Sequence, residues 1–151
     1  MENIFIRKAD FKDIDILFEW VNSNDSLRYK LENKNYILYE DHKKWFLDRL
    51  NDPNSYIWII ETLYKVSIGQ VRFQQKENLY FDIDIYIVKE KREMGAAFKA
   101  LNLSMNQLNN GVLRAIVKKN NEVSFNFFKK CGFKLNSENN LKWVLTKKLD
   151  K

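Results

Sequence analysis

The sequence predicts one α/β (α+β) domain in which a mixed, mostly antiparallel sheet is flanked by helices. Three observations lead to this prediction. The middle of the chain alternates apolar and polar residues with the two-residue period of strands. The segments on either side repeat apolar residues every three or four positions, as amphipathic helices do. At 151 residues, 45% of them hydrophobic and 15% aromatic, the chain has the size and apolar content of a single domain over residues 1–151.

The first third of the chain is expected to hold one strand and then helices. Residues 4–9 alternate apolar and polar side chains and form the first predicted strand. Asp10 can cap the helix that follows, whose apolar residues lie on one stripe as far as Val21. The segment 22–26 breaks this helix. The remaining expectations here are a short helix over 27–31, an irregular stretch over 33–39, and a helix over 41–50 that Asn51-Asp52-Pro53 ends.

Three antiparallel strands are predicted in the middle of the chain. Residues 56–63 and 66–73 are two strands joined by a tight connection at Tyr64-Lys65. Residues 79–88 form the third, in which apolar residues alternate with Asp82, Asp84 and Tyr86. Because successive side chains of a strand point to opposite faces, the two aspartates share one face of this strand.

The last third alternates helices and strands. Apolar residues recur at helical intervals from Met94 to Leu108, and Asn109-Asn110-Gly111 stops that helix. The final predicted elements are a strand over 113–118, a short helix over 123–130 that ends at Cys131-Gly132, and a last strand over 142–149. Strands and helices mixed in this order are typical of one sheet with helices on its faces.

The chain is basic, with a formal net charge of +6. Such a surface favours anionic partners such as nucleic acid, acidic lipid or a phosphorylated small molecule, although a lysine-rich surface in water gives the same charge. Because the basic residues are scattered, we expect no nucleic-acid partner. The densest group, Lys89, Lys91 and Arg92, lies beside a motif that suits a small anionic ligand better.

The cysteine content and the hydropathy are typical of a cytoplasmic protein. Cys131 is the only cysteine, so no disulfide can form within the chain. No apolar run approaches the ~20 residues that a membrane span needs, and the first ten residues are unlike a signal peptide. We therefore expect a cytoplasmic location without a membrane partner.

One short segment has the composition of an anion site. The third central strand leads through Lys91-Arg92-Glu93-Met94-Gly95-Ala96-Ala97 into a helix. The start of a helix presents unpaired N–H groups and the positive end of the dipole, and small residues there let phosphate oxygens approach closely. Taken alone, these residues are a weak signal, because in most proteins such a segment reflects ordinary helix packing.

Two motifs make this segment more specific. Arg92-x-x-Gly95-x-Ala97 resembles the pyrophosphate loop of the GCN5-related N-acetyltransferase (GNAT) family. About thirty residues later, Asn121-x-x-Ser124-x-x-x-Phe128-x-Lys130-x-Gly132-Phe133 is similar to a second signature of that family. The resemblance implies an acetyl-CoA-dependent N-acetyltransferase that uses acetyl-CoA (coenzyme A) and no metal ion.

Further residues resemble a subgroup of that family. They are Trp20 with Asn22 and Arg28, then Glu40-x-His42-x-x-Trp45-Phe46, Asp52-Pro53-Asn54-Ser55 and Ile68-Gly69-Gln70-Val71-Arg72-Phe73. The subgroup includes enzymes that acetylate the 4-amino group of UDP-linked 4-amino-4,6-dideoxy sugars on routes to pseudaminic acid. Ribosomal-protein acetyltransferases share some of these features, so a peptide N-terminus or another small amine stays an alternative acceptor.

The resemblance implies a role for each residue of the two motifs. In the family, the third central strand separates from the next one and leaves room for the pantetheine arm. The residues that would bind the cofactor are Ile85, Tyr86 and Ile87 through backbone groups, Lys91, Arg92, Glu93, Met94, Gly95, Ala96, Ala97 and Phe98 around the pyrophosphate, and Asn121, Ser124 and Phe128 beside the pantetheine or the thioester. For Asn121 the alternative role is to cap the following helix.

The chemistry requires a group that removes a proton from the acceptor, because an alkylammonium is mostly protonated at pH 7. Asp82 stands where many relatives have a glutamate with this task, and Asp84 lies on the same face. Two carboxylates so close are expected to raise one pKa, although a solvated strand face is the alternative interpretation. His42, the only histidine, is the third candidate, its alternative being a packing or surface residue.

Two departures from the family pattern affect the mechanism. Phe128 replaces a tyrosine that often protonates the leaving thiolate, so we expect direct attack without an acid at this position, or else a module that binds acyl-CoA without turnover. Glu93 and Met94 replace small or basic loop residues, and an acid beside a pyrophosphate is expected to lower cofactor affinity.

The acceptor side is expected to include Trp20, Arg28, Trp45 and Arg72. A UDP-sugar would bring a diphosphate for the arginines and a planar base for an aromatic ring. Core packing is the alternative for either tryptophan. The expected partner is thus a small-molecule amine, a UDP-sugar being the favoured example, with the assembly state, a homodimer included, left open.

Overall fold

The computed structural model describes residues 3–23, 26, 36–92 and 95–150. The described strands form one sheet whose spatial order is β1-β2-β3-β4-β5-β7-β6. These strands are Ile4–Lys8 (β1), Ser55–Thr62 (β2), Ser67–Glu77 (β3), Tyr80–Ile87 (β4), Gly111–Lys118 (β5), Lys134–Glu138 (β6) and Lys142–Leu149 (β7).

The described helices are Ile14–Val21 (α1), Tyr39–Leu50 (α2), Ala96–Met105 (α3) and Glu122–Lys130 (α4). A 3₁₀ turn, Phe11–Asp13, precedes α1, and a second one, Lys89–Lys91, follows β4. The expected cap at Asp10 is present: its carboxylate accepts from the Lys12 N–H at 2.9 Å. None of the described helices is both long and apolar enough to cross a membrane.

Helices cover both faces of the sheet, and each face has its own apolar cluster. Trp58 and Ile60 of β2 belong to a large cluster with residues of α3, α4 and most strands. Ile57 and Ile59, which alternate with them, belong to a smaller cluster with residues of α1 and α2. Since neighbours along a strand point to opposite faces, the α1/α2 pair and the α3/α4 pair lie on opposite sides of the sheet.

The strand pairs are antiparallel except at one junction. β4 and β5 run parallel and pair only at Tyr80↔Val112, Phe81↔Leu113 and Asp82↔Arg114. Beyond Asp82 the two strands part, although β4 stays paired with β3 as far as Ile87 and β5 stays paired with β7 as far as Lys118. Among the described strands, the sheet therefore opens into a cleft between β4 and β5.

The predicted fold class and the order of the predicted elements among the described residues are confirmed. α2 begins at Tyr39 and β5 at Gly111, each two residues before its predicted start, and three further differences occur. β6 was not predicted, because all five of its residues are exposed and its sequence lacks apolar alternation. β3 continues four residues beyond its predicted end, since its polar last residues still pair with β4. α3 ends at Met105 rather than at Leu108. The predicted helix was longer because Leu108, which lies beyond the helix end, is also buried and continues the apolar spacing. The helix expected over 27–31 lies outside the described residues.

Candidate functional site

A cavity of about 550 Å³ opens where β4 and β5 part. One side of it is formed by the facing stretches of β4 and β5 and by the start of α4. The other side is formed by α1, α2 and the neighbouring face of β2 and β3. Of the residues predicted for catalysis, the cofactor and the acceptor, the cavity wall includes Trp20, His42, Trp45, Arg72, Asp84, Ile85, Tyr86, Ile87, Arg92, Asn121, Ser124 and Phe128.

The loop between β4 and α3 is the predicted anion site. Gly95 is the residue before α3 and has φ 76°, a left-handed conformation. Glycine adopts it without steric strain, whereas residues with a Cβ atom are strained there. No described side chain caps the first N–H groups of α3. Ala96 is buried, whereas Phe98 is half exposed. The first turn of α3 therefore presents free N–H groups behind a small-residue start, as an anion site requires.

The basic residues before this helix lie partly against the protein itself. The Arg92 Nε–H donates to the carbonyl of Ile87 at 2.8 Å, and its guanidinium carbon lies 5.4 Å from the centre of the Tyr86 ring. Lys91 is the last residue of the 3₁₀ turn and is half-buried. Glu93 and Met94 lie outside the described residues.

The second motif surrounds the start of α4. The Asn121 side-chain oxygen accepts from the Ser124 N–H at 3.2 Å, so Asn121 caps the helix and also lines the cavity. The cap interpretation is thus observed, and a role toward the cofactor stays a prediction. Phe128 is buried, and its ring centre lies 5.0 Å from that of Phe133. This ring has no group that could donate a proton to a leaving thiolate.

Three polar side chains form a cluster on the α1/α2 side of the cavity. Gln70 and Arg72 of β3 lie beside Asp84 of β4 on the face that α1 and α2 cover. The Gln70 Nε2–H donates to Asp84 Oδ2 at 3.0 Å, and an Arg72 nitrogen lies 3.6 Å from the same oxygen. The Arg72 guanidinium carbon also lies 4.8 Å from the centre of a Trp45 ring. Asp84 and Arg72 are thereby held as a pair of opposite charges in the cavity wall.

Sequence reasoning did not single out Gln70, although the signal was present. Gln70 and Arg72 are two residues apart on β3 and so share a face. A glutamine among the apolar residues of a central strand is unusual on a face that helices cover. It is 7% exposed.

His42 of α2 contacts the first residue of α1. It is 4% exposed, and its Nε2 lies 3.0 Å from the carbonyl oxygen of Ile14. A carbonyl can only accept, so the proton of the neutral ring is on Nε2 and Nδ1 keeps its lone pair. Burial lowers the pKa of His42, with the Ile14 carbonyl and Asp15 acting in the opposite direction to a smaller extent. At neutral pH the ring is therefore an uncharged base.

The two aspartates of β4 share a face, as expected, but have different surroundings. A carboxylate oxygen of Asp82 accepts from the Arg114 Nε–H at 2.6 Å, and this bond raises the pKa of Arg114. Asp82 is not among the described residues that line the cavity, whereas Asp84 is. Each carboxylate thus has an arginine of its own, Arg114 for Asp82 and Arg72 for Asp84.

The two tryptophans predicted for the acceptor pack against other apolar residues and also line the cavity. Trp20 is buried in the α1/α2 cluster, and a ring centre lies 5.7 Å from that of Tyr86. Trp45 packs against the same cluster. Both lie in the cavity wall. Arg28, the fourth residue predicted for the acceptor, lies outside the described residues.

Comparisons with known proteins are consistent with this architecture. The family model described as "acetyltransferase (GNAT) domain" matches residues 3–134. A domain from Methanocaldococcus jannaschii superposes with a TM-score of 0.85 at 20% identity, over 99% of this chain and 100% of that one. The spermidine N-acetyltransferase of Vibrio cholerae, solved with CoA and spermine, gives a TM-score of 0.84 at 15% identity, over 96% and 95%. Among curated proteins, none matches the sequence. At these identities the structural likenesses establish the fold alone.

Proposed function

The chain belongs to the GNAT acetyltransferase family and is an acetyl-CoA-dependent N-acetyltransferase, and we propose that its acceptor is an amine on a molecule that also carries an anionic group. A nucleotide-linked amino sugar of the UDP-4-amino-4,6-dideoxy type is the example that the sequence favours. The observation that carries this proposal is the Arg72–Asp84 pair in the cavity wall, where one side chain suits an anion and the other an ammonium.

The β4–β5 cleft suits the cofactor. Because the Val88 N–H donates to the Ile68 carbonyl of β3, antiparallel alternation turns Tyr86 toward β3 and leaves the backbone groups of Ile85 and the Ile87 N–H facing the gap. These groups suit the amides of a pantetheine arm. The start of α3 beyond Gly95, with Lys91 and Arg92 before it, suits a pyrophosphate. Asn121, Ser124 and Phe128 would complete this side of the site. When bound, acetyl-CoA supplies a thioester carbonyl that an amine can attack.

The charge of the described cavity wall favours an anionic acceptor over a polyamine. Arg92 is proposed above for the cofactor and Lys118 lies on β5, so on the proposed acceptor side the described wall has Arg72 as its basic side chain and Asp84 as its single acidic one. A polyamine carries several ammonium groups and would be expected to meet several carboxylates. A guanidinium held against Trp45 offers parallel N–H donors that match the oxygens of a phosphate.

We propose that His42 accepts the acceptor's proton through Nδ1, directly or through one water. An ammonium cannot attack until it has lost a proton; the free amine then forms the N–C bond as the C–S bond breaks. A neutral imidazole with an unprotonated Nδ1 suits this step at pH 7. Asp82 is less suited because its carboxylate is engaged with Arg114 outside the cavity wall. With Phe128 unable to donate, the thiolate takes its proton from water or from the amine nitrogen.

A thiol-release assay with acetyl-CoA and a panel of amines tests the proposal. The panel contains a UDP-4-amino-4,6-dideoxy sugar, the same sugar without its nucleotide, spermidine and a peptide N-terminus. We expect release with the UDP-sugar and a much higher KM for the sugar that lacks the diphosphate. Spermidine as the better acceptor would overturn the proposal in favour of a polyamine enzyme, the activity named for one structural neighbour.

A further inference from the structure

We infer that Gln70 is a positioning residue, which holds the Asp84 carboxylate so that Asp84 Oδ1 receives the acceptor's ammonium group. The inference rests on the proposed function only in placing the acceptor on this side of the cavity. Gln70 and Asp84 belong to neighbouring strands, and the Gln70 side-chain amide reaches across to the carboxylate at 3.0 Å.

The two oxygens of Asp84 differ in their partners. Oδ2 accepts from Gln70, and it is also the oxygen that lies 3.6 Å from Arg72. No described residue donates a hydrogen bond to Oδ1. The Asp84 side chain is 56% exposed in the cavity wall, so Oδ1 is open to a ligand. Oδ2 is thus held by one hydrogen bond and one ion-pair contact, and Oδ1 is the oxygen left to bind a cation.

Gln70 is buried, so its amide requires a hydrogen-bond partner. A buried amide is destabilising unless it is hydrogen-bonded. On the neighbouring strand β2, the residue opposite Gln70 is Ile59, which is fully buried. An apolar residue would pack at this position without that cost. The amide's described side-chain partner is Asp84, a residue of the cavity wall. The amide therefore links a buried, rigid strand to the carboxylate that faces the ligand.

A matched control exists on the same strand. Gln74 lies on the same face of β3, four residues further along, and is also a glutamine with a carboxylate partner. Its Nε2–H donates to Asp52 Oδ2 at 3.2 Å. Gln74 is not among the described residues of the cavity wall. Replacing Gln74 removes the same kind of hydrogen bond from the same strand without touching the proposed acceptor site.

The experiment is a double-mutant cycle on the full chain with Gln70→Met, Asp84→Asn, both changes together, and Gln74→Met as the control. We expect Gln70→Met to raise the acceptor KM about tenfold, the size of effect expected when a hydrogen bond to a charged group is lost. The KM for acetyl-CoA stays unchanged, and Gln74→Met changes neither constant. In the Asp84→Asn background, Gln70→Met has no further effect, because Gln70 acts through that carboxylate.

A second variant gives a pH dependence of the acceptor KM that a purely structural role of Gln70 would not produce. Gln70→Glu keeps the shape of the side chain but replaces the donating amide with a carboxylate that repels Asp84 when ionised. We expect the acceptor KM of this variant, relative to wild type, to rise with pH as the introduced carboxyl group loses its proton. A pH-independent ratio contradicts the inference, and so does a Gln70→Met effect of equal size with and without Asp84.

The outcomes separate this inference from the proposed function. If the wild-type enzyme prefers a polyamine and the cycle still couples Gln70 to Asp84, the anionic acceptor is wrong and the positioning role stands. If the enzyme uses the UDP-sugar and Gln70→Met behaves like Gln74→Met, the positioning role is wrong and the proposed acceptor stands.

Discussion

The two sides of the cavity are built in different ways. The proposed cofactor side is mostly backbone: the parting edges of β4 and β5 and, outside the described cavity wall, the first N–H groups of α3. The proposed acceptor side is made of side chains from separate elements, with His42 and Trp45 on α2 and Gln70 and Arg72 on β3. A backbone site tolerates many sequences so long as its turns are kept, whereas a side-chain site changes with each substitution. We therefore expect variants on the two sides to separate cleanly in their kinetics.

The largest expected effect lies on the acceptor side. Glutamine in place of His42 can still donate to the Ile14 carbonyl but has no basic nitrogen. We expect His42→Gln to lower kcat about a hundredfold, within the range for loss of a general base, and to leave the Kd of acetyl-CoA unchanged. Steady-state kinetics and calorimetric titration of acetyl-CoA measure the two quantities.

The pH dependence of kcat/KM tests the same role of His42. A base works when it is deprotonated, and burial lowers the pKa of His42 below its ordinary value of 6.5. The acid limb of the wild-type kcat/KM profile should therefore lie below pH 6.5, and His42→Gln should remove it. If Asp82→Asn abolishes turnover while His42→Gln does not, the base is Asp82, as the sequence resemblance predicts.

The second effect isolates the cofactor side. A β-branched residue is strained at the left-handed φ of Gly95, so Gly95→Val must distort the loop before α3. We expect the Kd of acetyl-CoA to rise about thirtyfold, which corresponds to about 2 kcal/mol of strain. The acceptor KM should not change at saturating acetyl-CoA.

Gly132 provides the matched control for this loop. It has φ 91° at the end of α4 and lies outside the described cavity wall. Gly132→Ala should lower the melting temperature with no change in the Kd of acetyl-CoA. Equal losses of affinity in the Gly95 and Gly132 variants would mean that the start of α3 is not the pyrophosphate site.

The difference between the two sides also explains what the sequence could predict. The fold class and the helix that begins after Gly95 were predictable because alternation, helical spacing and small residues before a helix are local features. Gln70 was not singled out, because its partner Asp84 is fourteen residues away and only the β3–β4 register brings them together. Asp82 and Asp84 were equivalent in the alternation pattern. The structure distinguishes them: Asp82 pairs with Arg114 of β5, whereas Asp84 contacts Gln70 and Arg72 of β3 in the cavity wall.

The third effect tests the charge of the acceptor side. Arg72→Gln removes the cation that lies against Trp45 and should raise the KM of an anionic acceptor about tenfold, as expected for a lost charge-assisted contact. Arg49 is the control: its guanidinium carbon lies 6.0 Å from a Trp45 ring centre, but it pairs with Asp52 and is not in the described cavity wall. Arg49→Gln should leave the KM unchanged. An unchanged KM in Arg72→Gln would remove the anionic group from the proposed acceptor.

The smallest effect on catalysis is expected from a contact beneath the acceptor side. Asp13 precedes Ile14, whose carbonyl holds His42, and accepts two hydrogen bonds from Arg7 of β1 at 2.7 and 2.8 Å. Burial alone would raise the pKa of Asp13, but the bonds from Arg7 and from the Asp10 backbone N–H outweigh it, and the pKa is lowered from 3.8. A lowered carboxyl pKa stabilises the fold above pH 3.8, and this contribution is lost as the pH falls through the folded-state pKa.

Asp13→Asn should therefore cost about 2 kcal/mol of the free energy of unfolding at pH 7, and less as the pH approaches the folded-state pKa. At temperatures well below the melting point, kcat should fall no more than about twofold, because helix packing still places Ile14 beside His42. Denaturant unfolding at pH 7 and pH 3, with kinetics at pH 7, measures both. A stability loss that does not change between the two pH values would mean that Asp13 stabilises α1 without its charge. A large fall in kcat with normal stability would instead place Asp13 in the proton path through His42.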